Sequence, residues 1–165
     1  MDLKVLTEKF FAKYGNRNEN PVLFFSPGRV NLIGEHTDYN GGFVFPCALN
    51  FGTYLAVRKN TSEKLKFSTL NFNDDDEVSM RSDFIKRGKK WSNYPLGVIN
   101  EFLKRGLRIT GMEMLFSGDV PNGAGLSSSA SIEMVTAVAI NDIFDSGTDT
   151  IDLVRLSQKA ENEFV

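Results

Sequence analysis

Residues 119–131 limit what this chain can fold into more than any other stretch: Asp-Val-Pro-Asn-Gly-Ala-Gly-Leu-Ser-Ser-Ser-Ala-Ser. Pro121, Gly123 and Gly125 force a turn, and serine is a favoured residue where a helix begins. Residues 132–144 follow at once as an apolar run rich in Ala and Val, which predicts a helix buried on most sides. Upstream, Met112, Met114 and Phe116 alternate with Glu113, Leu115 and Ser117, the period of a strand. The chain therefore has to pass from a strand through a glycine loop into a helix mouth. There the free N–H groups and the helix dipole favour an anion. Serine hydroxyls add donors for phosphate and oxygen ligands for a hard cation such as Mg²⁺. An ordinary glycine loop capping a helix is the simpler alternative, but one cap needs one serine rather than three.

The rest of the chain alternates in the same manner. Leu3, Leu6, Phe10 and Phe11 recur at near-helical spacing, so residues 2–14 predict an amphipathic helix ended at Gly15. Residues 22–25 read as a short buried strand that Pro27-Gly28 breaks. Val30, Leu32 and Ile33 restart it before a loop dense in Gly, Asn and Asp. Residues 43–49 and 54–58 resume a β pattern, and residues 64–70 predict a third strand of the same meander. The acidic run 74–77 reads as a solvated loop. Trp91, Tyr94, Val98, Phe102 and Leu103 set a helix closed by Gly106. Residues 150–165 give a last helix with Asp152 near its start and Ile151, Leu153, Val154 and Leu156 on its apolar side. The order α-β-β-β-β-α-β-α-α predicts an α+β fold, a mixed β-sheet with helices packed on one face.

Composition excludes several classes. The chain has 165 residues, enough for one domain with a proper core, and its net charge of −2 shows no basic excess for nucleic acid. No apolar run reaches the ~20 residues of a membrane span, and residues 1–14 lack a signal-peptide pattern. A lone cysteine, Cys47, leaves no internal disulfide, so a cytoplasmic location is expected. One histidine and one cysteine do not make a conventional zinc site.

A second polar stretch completes the picture. Residues 29–42 read Arg-Val-Asn-Leu-Ile-Gly-Glu-His-Thr-Asp-Tyr-Asn-Gly-Gly. Glu35 and Asp38 each accept two hydrogen bonds and suit vicinal sugar hydroxyls, and His36 adds a bond of either sense. The alternative is a hydrogen-bonded turn, a common use of Asp and Asn. Arg29 is either a salt-bridge partner of those carboxylates or a charge for a transferring phosphoryl group. A serine loop for a triphosphate beside a polyol clamp describes a small-molecule kinase. The Walker and protein-kinase signatures are both absent from the sequence.

Residues 26–42, Ser-Pro-Gly-Arg-Val-Asn-Leu-Ile-Gly-Glu-His-Thr-Asp-Tyr-Asn-Gly-Gly, closely resemble the galactokinase signature. Residues 118–131 resemble the phosphate-binding motif of the wider GHMP small-molecule kinases, and Trp91-Ser-Asn-Tyr94 is similar to a Trp-Ala-Asn-Tyr segment lying between those motifs. The resemblance covers essentially the whole chain. It implies an ATP-dependent kinase acting on the C1 hydroxyl of α-D-galactose, in the Leloir pathway of galactose metabolism. Residues 1–165 would be the N-terminal domain of the GHMP kinase fold, with the galactose-binding signature at 15–60 and the ATP-phosphate loop at 118–131.

By position, Glu35, His36 and Asp38 would hold the sugar, with Thr37 in the same loop, and Arg29 would act in catalysis. Gly123, Ala124, Gly125, Leu126, Ser127, Ser128 and Ser129 would wrap the ATP phosphates. Ser129 and Glu161 would hold Mg²⁺, although Glu161 by itself reads as an exposed helix charge. Trp91 is either a neighbour of the adenine or a core residue, and Ser68 and Thr69 are candidates to line the adenine pocket.

In the family the pattern Glu-Asn-x-Phe-Val runs on to Cys-Gly-x-Met-Asp-Gln, which carries the catalytic aspartate, whereas this sequence stops at Val165. The chain is therefore expected to be an N-terminal fragment without the C-terminal domain and with little activity alone, its full-length parent a monomer. An N-acetylgalactosamine kinase and a non-catalytic galactose- and ATP-binding regulator are the alternative readings. The complete segment Ser127-Ser-Ser-Ala-Ser131 favours the enzyme over the regulator.

Overall fold

Pro27 does not end the first strand. In the computed structural model, which describes all residues except Asn18, Glu35, Asp38, Tyr39 and 120–126, strand β1 runs unbroken over Val22–Ile33. Proline is tolerated there because β1 is an edge strand, and the cost is taken up as a bulge. The antiparallel register with β2 (Phe45–Lys59) shifts between Pro27 and Arg29, and again between Asn31 and Ile33. Opposite the first bulge lies Gly52. A Cβ there would stand 2.0 Å from the Ser26 carbonyl oxygen and 2.7 Å from Pro27 Cα, so only glycine lets the strands close.

The five strands lie in the order β1-β2-β5-β3-β4, where β3 is Lys64–Thr69, β4 Asp76–Ser79 and β5 Met112–Gly118. The expected strands at 43–49 and 54–58 are one long strand, β2. Nor does β3 continue a meander: β5 inserts between β2 and β3 and runs parallel to β3. The acidic run is a solvated loop only in part: Asp75 and Glu77 are exposed, but Asp76 is not. Asp76 begins β4 and is only 8% exposed, held by Ser92 Oγ (2.6 Å), Arg87 Nη1 (2.7 Å) and Lys90 Nζ (3.2 Å). Burial pushes its pKa up, but those hydrogen bonds and charges outweigh burial and hold it below the usual value.

Helices α2 (Asn93–Lys104), α3 (Ser128–Ile143) and α4 (Thr150–Glu163) cover one face of the sheet. They enclose Leu55, Val57, Phe67, Met114 and Phe116 with Leu96, Val135 and Leu156. Helix α1 (Leu3–Tyr14) lies across the other face, seating Leu6 and Phe10 on Ala56 and Leu115. Strand alternation explains the division, because Leu55 and Val57 point to one side and Ala56 between them to the other. The α+β expectation and the element order hold, with α2, α3 and α4 as the helices sharing a face. Asp2 caps α1 by accepting from Lys4 N–H, and Asp149 caps α4 by accepting from Asp152 N–H. On α4 the buried side is Leu153, Leu156, Ser157 and Ala160, whereas Ile151 and Val154 are 65% and 51% exposed. Among the described residues no helix is long and apolar enough to cross a membrane.

Candidate active site

The glycine loop is approached through a clamp at Gly52. The Gly52 N–H donates to Asp119 Oδ1 (2.7 Å) and its carbonyl accepts from Asp119 N–H (3.1 Å). Asn71 secures the same point by bonding both the N–H (2.8 Å) and the carbonyl (2.6 Å) of Gly118. The loop residues Gly123, Ala124, Gly125 and Leu126 lie outside the described residues. The chain is described again at Ser127, whose φ of 58° and ψ of 44° turn the backbone left-handed just before α3. Ser127 makes no side-chain cap bond. The first helical bond runs from Ser131 N–H to the Ser127 carbonyl (3.0 Å). The N–H groups of Ser128, Ser129 and Ala130 therefore precede the helical ladder and point out of a 16-residue helix, as an anion site requires.

Ser131 ties this helix mouth to the bulge. Its hydroxyl lies 2.8 Å from the Ser26 carbonyl and 2.9 Å from Thr53 Oγ1, and it is buried. The result is a cleft of about 570 Å³ between β1, α3 and α4, lined by Arg29, Ser127, Glu133, Ser157 and Glu161 among others. Arg29 is exposed on β1 and makes no ion pair among the described residues. Three of the residues expected at the site, Arg29, Ser127 and Glu161, thus meet in one cleft although they are spread over most of the chain.

A second cavity, of about 220 Å³, opens on the other side of the helix mouth and is lined by Thr69, Phe72, Trp91, Tyr94, Phe116 and Ser128. Trp91 is half-buried, with its Nε1–H donated to the Asp74 carbonyl (2.9 Å). It meets Phe72 and Phe116 edge-on at 5.9 and 5.4 Å. Thr69 reaches this cavity. Ser68, one residue earlier, faces the opposite side of the sheet, where its Oγ receives the Tyr14 hydroxyl (2.8 Å). Ser129, half-buried on the first turn of α3, lines neither space.

The polar loop after β1 is described at His36 and Thr37, and Glu35 and Asp38 lie outside the described residues. His36 is exposed, and its carbonyl accepts from Asn40 Nδ2 (2.9 Å). The Thr37 hydroxyl lies 2.9 Å from both the Gly34 and Phe43 carbonyls, so it shapes the loop.

Glu133 escaped the sequence reading. It is 1% exposed, and its Oε1 has no hydrogen-bond partner among the described residues. Burial, and secondarily the charge of Glu161, push its pKa up to about 8. The signal that identifies it is its spacing, four residues after Ser129 and so on the same helical face. A buried orphaned carboxylate, oxygen-only donors and an open helix mouth fit a phosphate-bound hard cation.

The comparisons agree with this geometry. The GHMP kinases N-terminal domain matches residues 93–165, and the galactokinase galactose-binding signature matches residues 8–59. Fold and helix mouth together define the N-terminal domain of a GHMP kinase, and the mevalonate kinase of Methanococcus jannaschii shares that fold. It superposes with a TM-score of 0.78 at 21% identity over 89% of this chain and 47% of its own. Within that class the chain resembles the galactokinases. It is 51% identical to the galactokinase of Clostridium tetani, over 100% of this chain and 42% of that protein. A Lactococcus lactis galactokinase solved in complex with galactose superposes with a TM-score of 0.92 at 42% identity, over 98% of this chain and 42% of its own. The chain thus spans less than half the length of the relatives it matches.

Proposed function

We propose that the full-length gene product carrying this chain is an ATP-dependent galactokinase that phosphorylates the C1 hydroxyl of galactose. The observation that carries the reading is the meeting of Arg29, Ser127 and Glu161 in one cleft at the mouth of α3. Residues 123–129 wrap the nucleotide phosphates, with the N–H groups that precede the helical ladder as donors. ATP supplies the phosphoryl group, and Mg²⁺ neutralises part of its charge. Ser129 and Glu161 hold the cation. Arg29, unpaired among the described residues, offers its permanent charge to the transferring group. Glu35, His36 and Asp38 grip the sugar hydroxyls, while Thr37 keeps their loop in shape. The aromatic cavity around Trp91, adjoining Ser128, receives the adenine.

A coupled ADP-release assay on the full-length gene product tests the reading. Turnover is expected with galactose and not without sugar. No ADP release with galactose, in a protein shown to be folded, refutes it.

A further inference from the structure

Two hydroxyl–carboxylate pairs recur on the helices that border the cleft. Ser129 and Glu133 are four residues apart on α3, and Ser157 and Glu161 four apart on α4, so each pair shares a helical face. The two helices pack against one another, and Glu133, Ser157 and Glu161 line the same cleft. Glu133 Oε1 and Ser157 Oγ have no hydrogen-bond partner among the described residues, in side chains 1% and 3% exposed. Polar atoms taken out of water are costly unless something completes them, and both of these side chains line one cleft. The donors are all oxygen, which suits a hard divalent cation and neither a soft metal nor a second anion. Two carboxylates facing one cleft repel, and a cation between them turns that repulsion into attraction.

We propose that Glu133 joins Glu161 in holding the divalent cation of this cleft, so that the cation bridges α3 and α4. This rests on reading the cleft as the site of a cation-bound nucleotide triphosphate. Glu133 thereby gains the partner that its buried Oε1 lacks, and the cation fixes the helix that carries the serine loop relative to the helix that carries Glu161. The bridge gives the metal a structural effect on the phosphate loop as well as its effect on the phosphates.

Manganese binding, followed by electron paramagnetic resonance, tests this on the full-length gene product with a non-hydrolysable ATP analogue bound. Wild type is expected to bind Mn²⁺ more tightly than the free nucleotide does. Glu133→Gln and Glu161→Gln should each weaken Mn²⁺ at least tenfold while leaving metal-free nucleotide affinity within twofold. Wild-type affinity in E133Q, with loss in E161Q, overturns the role of Glu133 alone. Absence of any tightening in wild type overturns the cleft reading and the proposal with it. Glu133→Asp keeps the charge but withdraws it by one methylene. It should weaken Mn²⁺ at least threefold, and unchanged affinity in E133D overturns the proposal even if E133Q fails to fold.

Discussion

Replacing Gly52 by Ala tests whether the bulge in β1 positions the active site. The added Cβ would lie 2.0 Å from the Ser26 carbonyl oxygen, 2.7 Å from Pro27 Cα and 2.9 Å from Ser26 C, all of them backbone atoms. No rotamer relieves that contact, so β1 has to retreat by about 1 Å or more to restore ordinary separations. Overpacking of this kind costs roughly 1–3 kcal/mol, and a weakened hydrogen bond about 1 kcal/mol more. The bond at risk is the 2.8 Å contact of Ser131 Oγ with the Ser26 carbonyl. A total near 3 kcal/mol lowers the melting temperature by about 6–12 °C for a domain of this size. Because Arg29 stands three residues beyond Ser26 on the same strand, the retreat also carries its guanidinium away from the helix mouth, and a misplacement of ~1 Å costs on the order of 100-fold in turnover. The assays are thermal melting of this chain and kcat of the full-length gene product in the proposed phosphorylation of galactose, measured well below both melting temperatures. Gly147→Ala is the control: its φ of 64° makes alanine strained, yet nothing lies within 4 Å. It should lose about 1 kcal/mol with kcat unchanged. A Gly52→Ala protein that melts with wild type refutes the packing reasoning, and one that is destabilised but turns over normally refutes the link to Arg29.

In the full-length gene product, the role proposed for Arg29 in the transition state predicts that Arg29→Ala lowers kcat by about 10³-fold while the KM for galactose stays within about threefold. A change confined to KM would move Arg29 to ground-state binding. Glu113→Gln should lower the unfolding free energy by about 3 kcal/mol in a urea titration, because it leaves Arg58, its 2.8 Å partner in the sheet, buried without a counter-charge. An unchanged midpoint would show that Lys66 and Arg17 at the rim carry no weight and that Arg58 is satisfied by the backbone carbonyls it also reaches. Glu133 has a folded pKa raised from 4.5 to about 8, so the folded chain holds its proton more tightly than the unfolded chain does. Its stabilising contribution is complete below pH ~4.5 and is lost as the pH rises to and through about 8. In metal-free buffer Glu133→Gln should therefore match wild type near pH 4.5 and exceed it at pH 9, by as much as ~4 kcal/mol. Parallel stability curves across that range would contradict the burial of this carboxylate.

What was legible in the sequence was local. The spacing of Leu6 and Phe10 marked α1, Gly15 and Gly106 marked helix ends, and the serine run marked the start of α3. Sheet order was not legible, because the insertion of β5 between β2 and β3 depends on pairings of residues far apart in the chain, such as Leu65 with Met112 and Thr53 with Gly118. Pro27 misled for a related reason: its meaning in a strand depends on whether that strand is an edge, which is a property of the whole sheet. The acidic run at 74–77 misled because charge alone does not reveal that Ser92, Arg87 and Lys90 return from the next segment to bury Asp76. In the candidate site, the motif residues Arg29, Ser127 and Glu161 were found through local pattern and resemblance. Glu133 was not, since a single glutamate in an apolar helix looks like an exposed charge until α4 and β1 close over it.

The two motifs work as one site because of a junction neither of them contains. Gly52 and Thr53 sit in the middle of β2, and each of the other pieces fastens to them. Asp119, at the entry to the glycine loop, closes on the Gly52 backbone, Ser131 at its exit closes on Thr53 Oγ1, and β1 packs its Ser26–Pro27 bulge onto Gly52. Both ends of the phosphate loop and the strand bearing Arg29 are thereby referred to the same two residues in a buried strand. Buried, hydrogen-bonded backbone is the least mobile part of a domain. The proposed role of the glycine loop in holding a nucleotide beside Arg29 calls for such an anchor at each end. This explains why Ser131 is buried while Ser128, three residues earlier, is exposed. The serines that follow the glycines have separate places: Ser127 and Ser128 at the helix mouth each line a cavity, and Ser131, a turn deeper, ties the helix to the sheet.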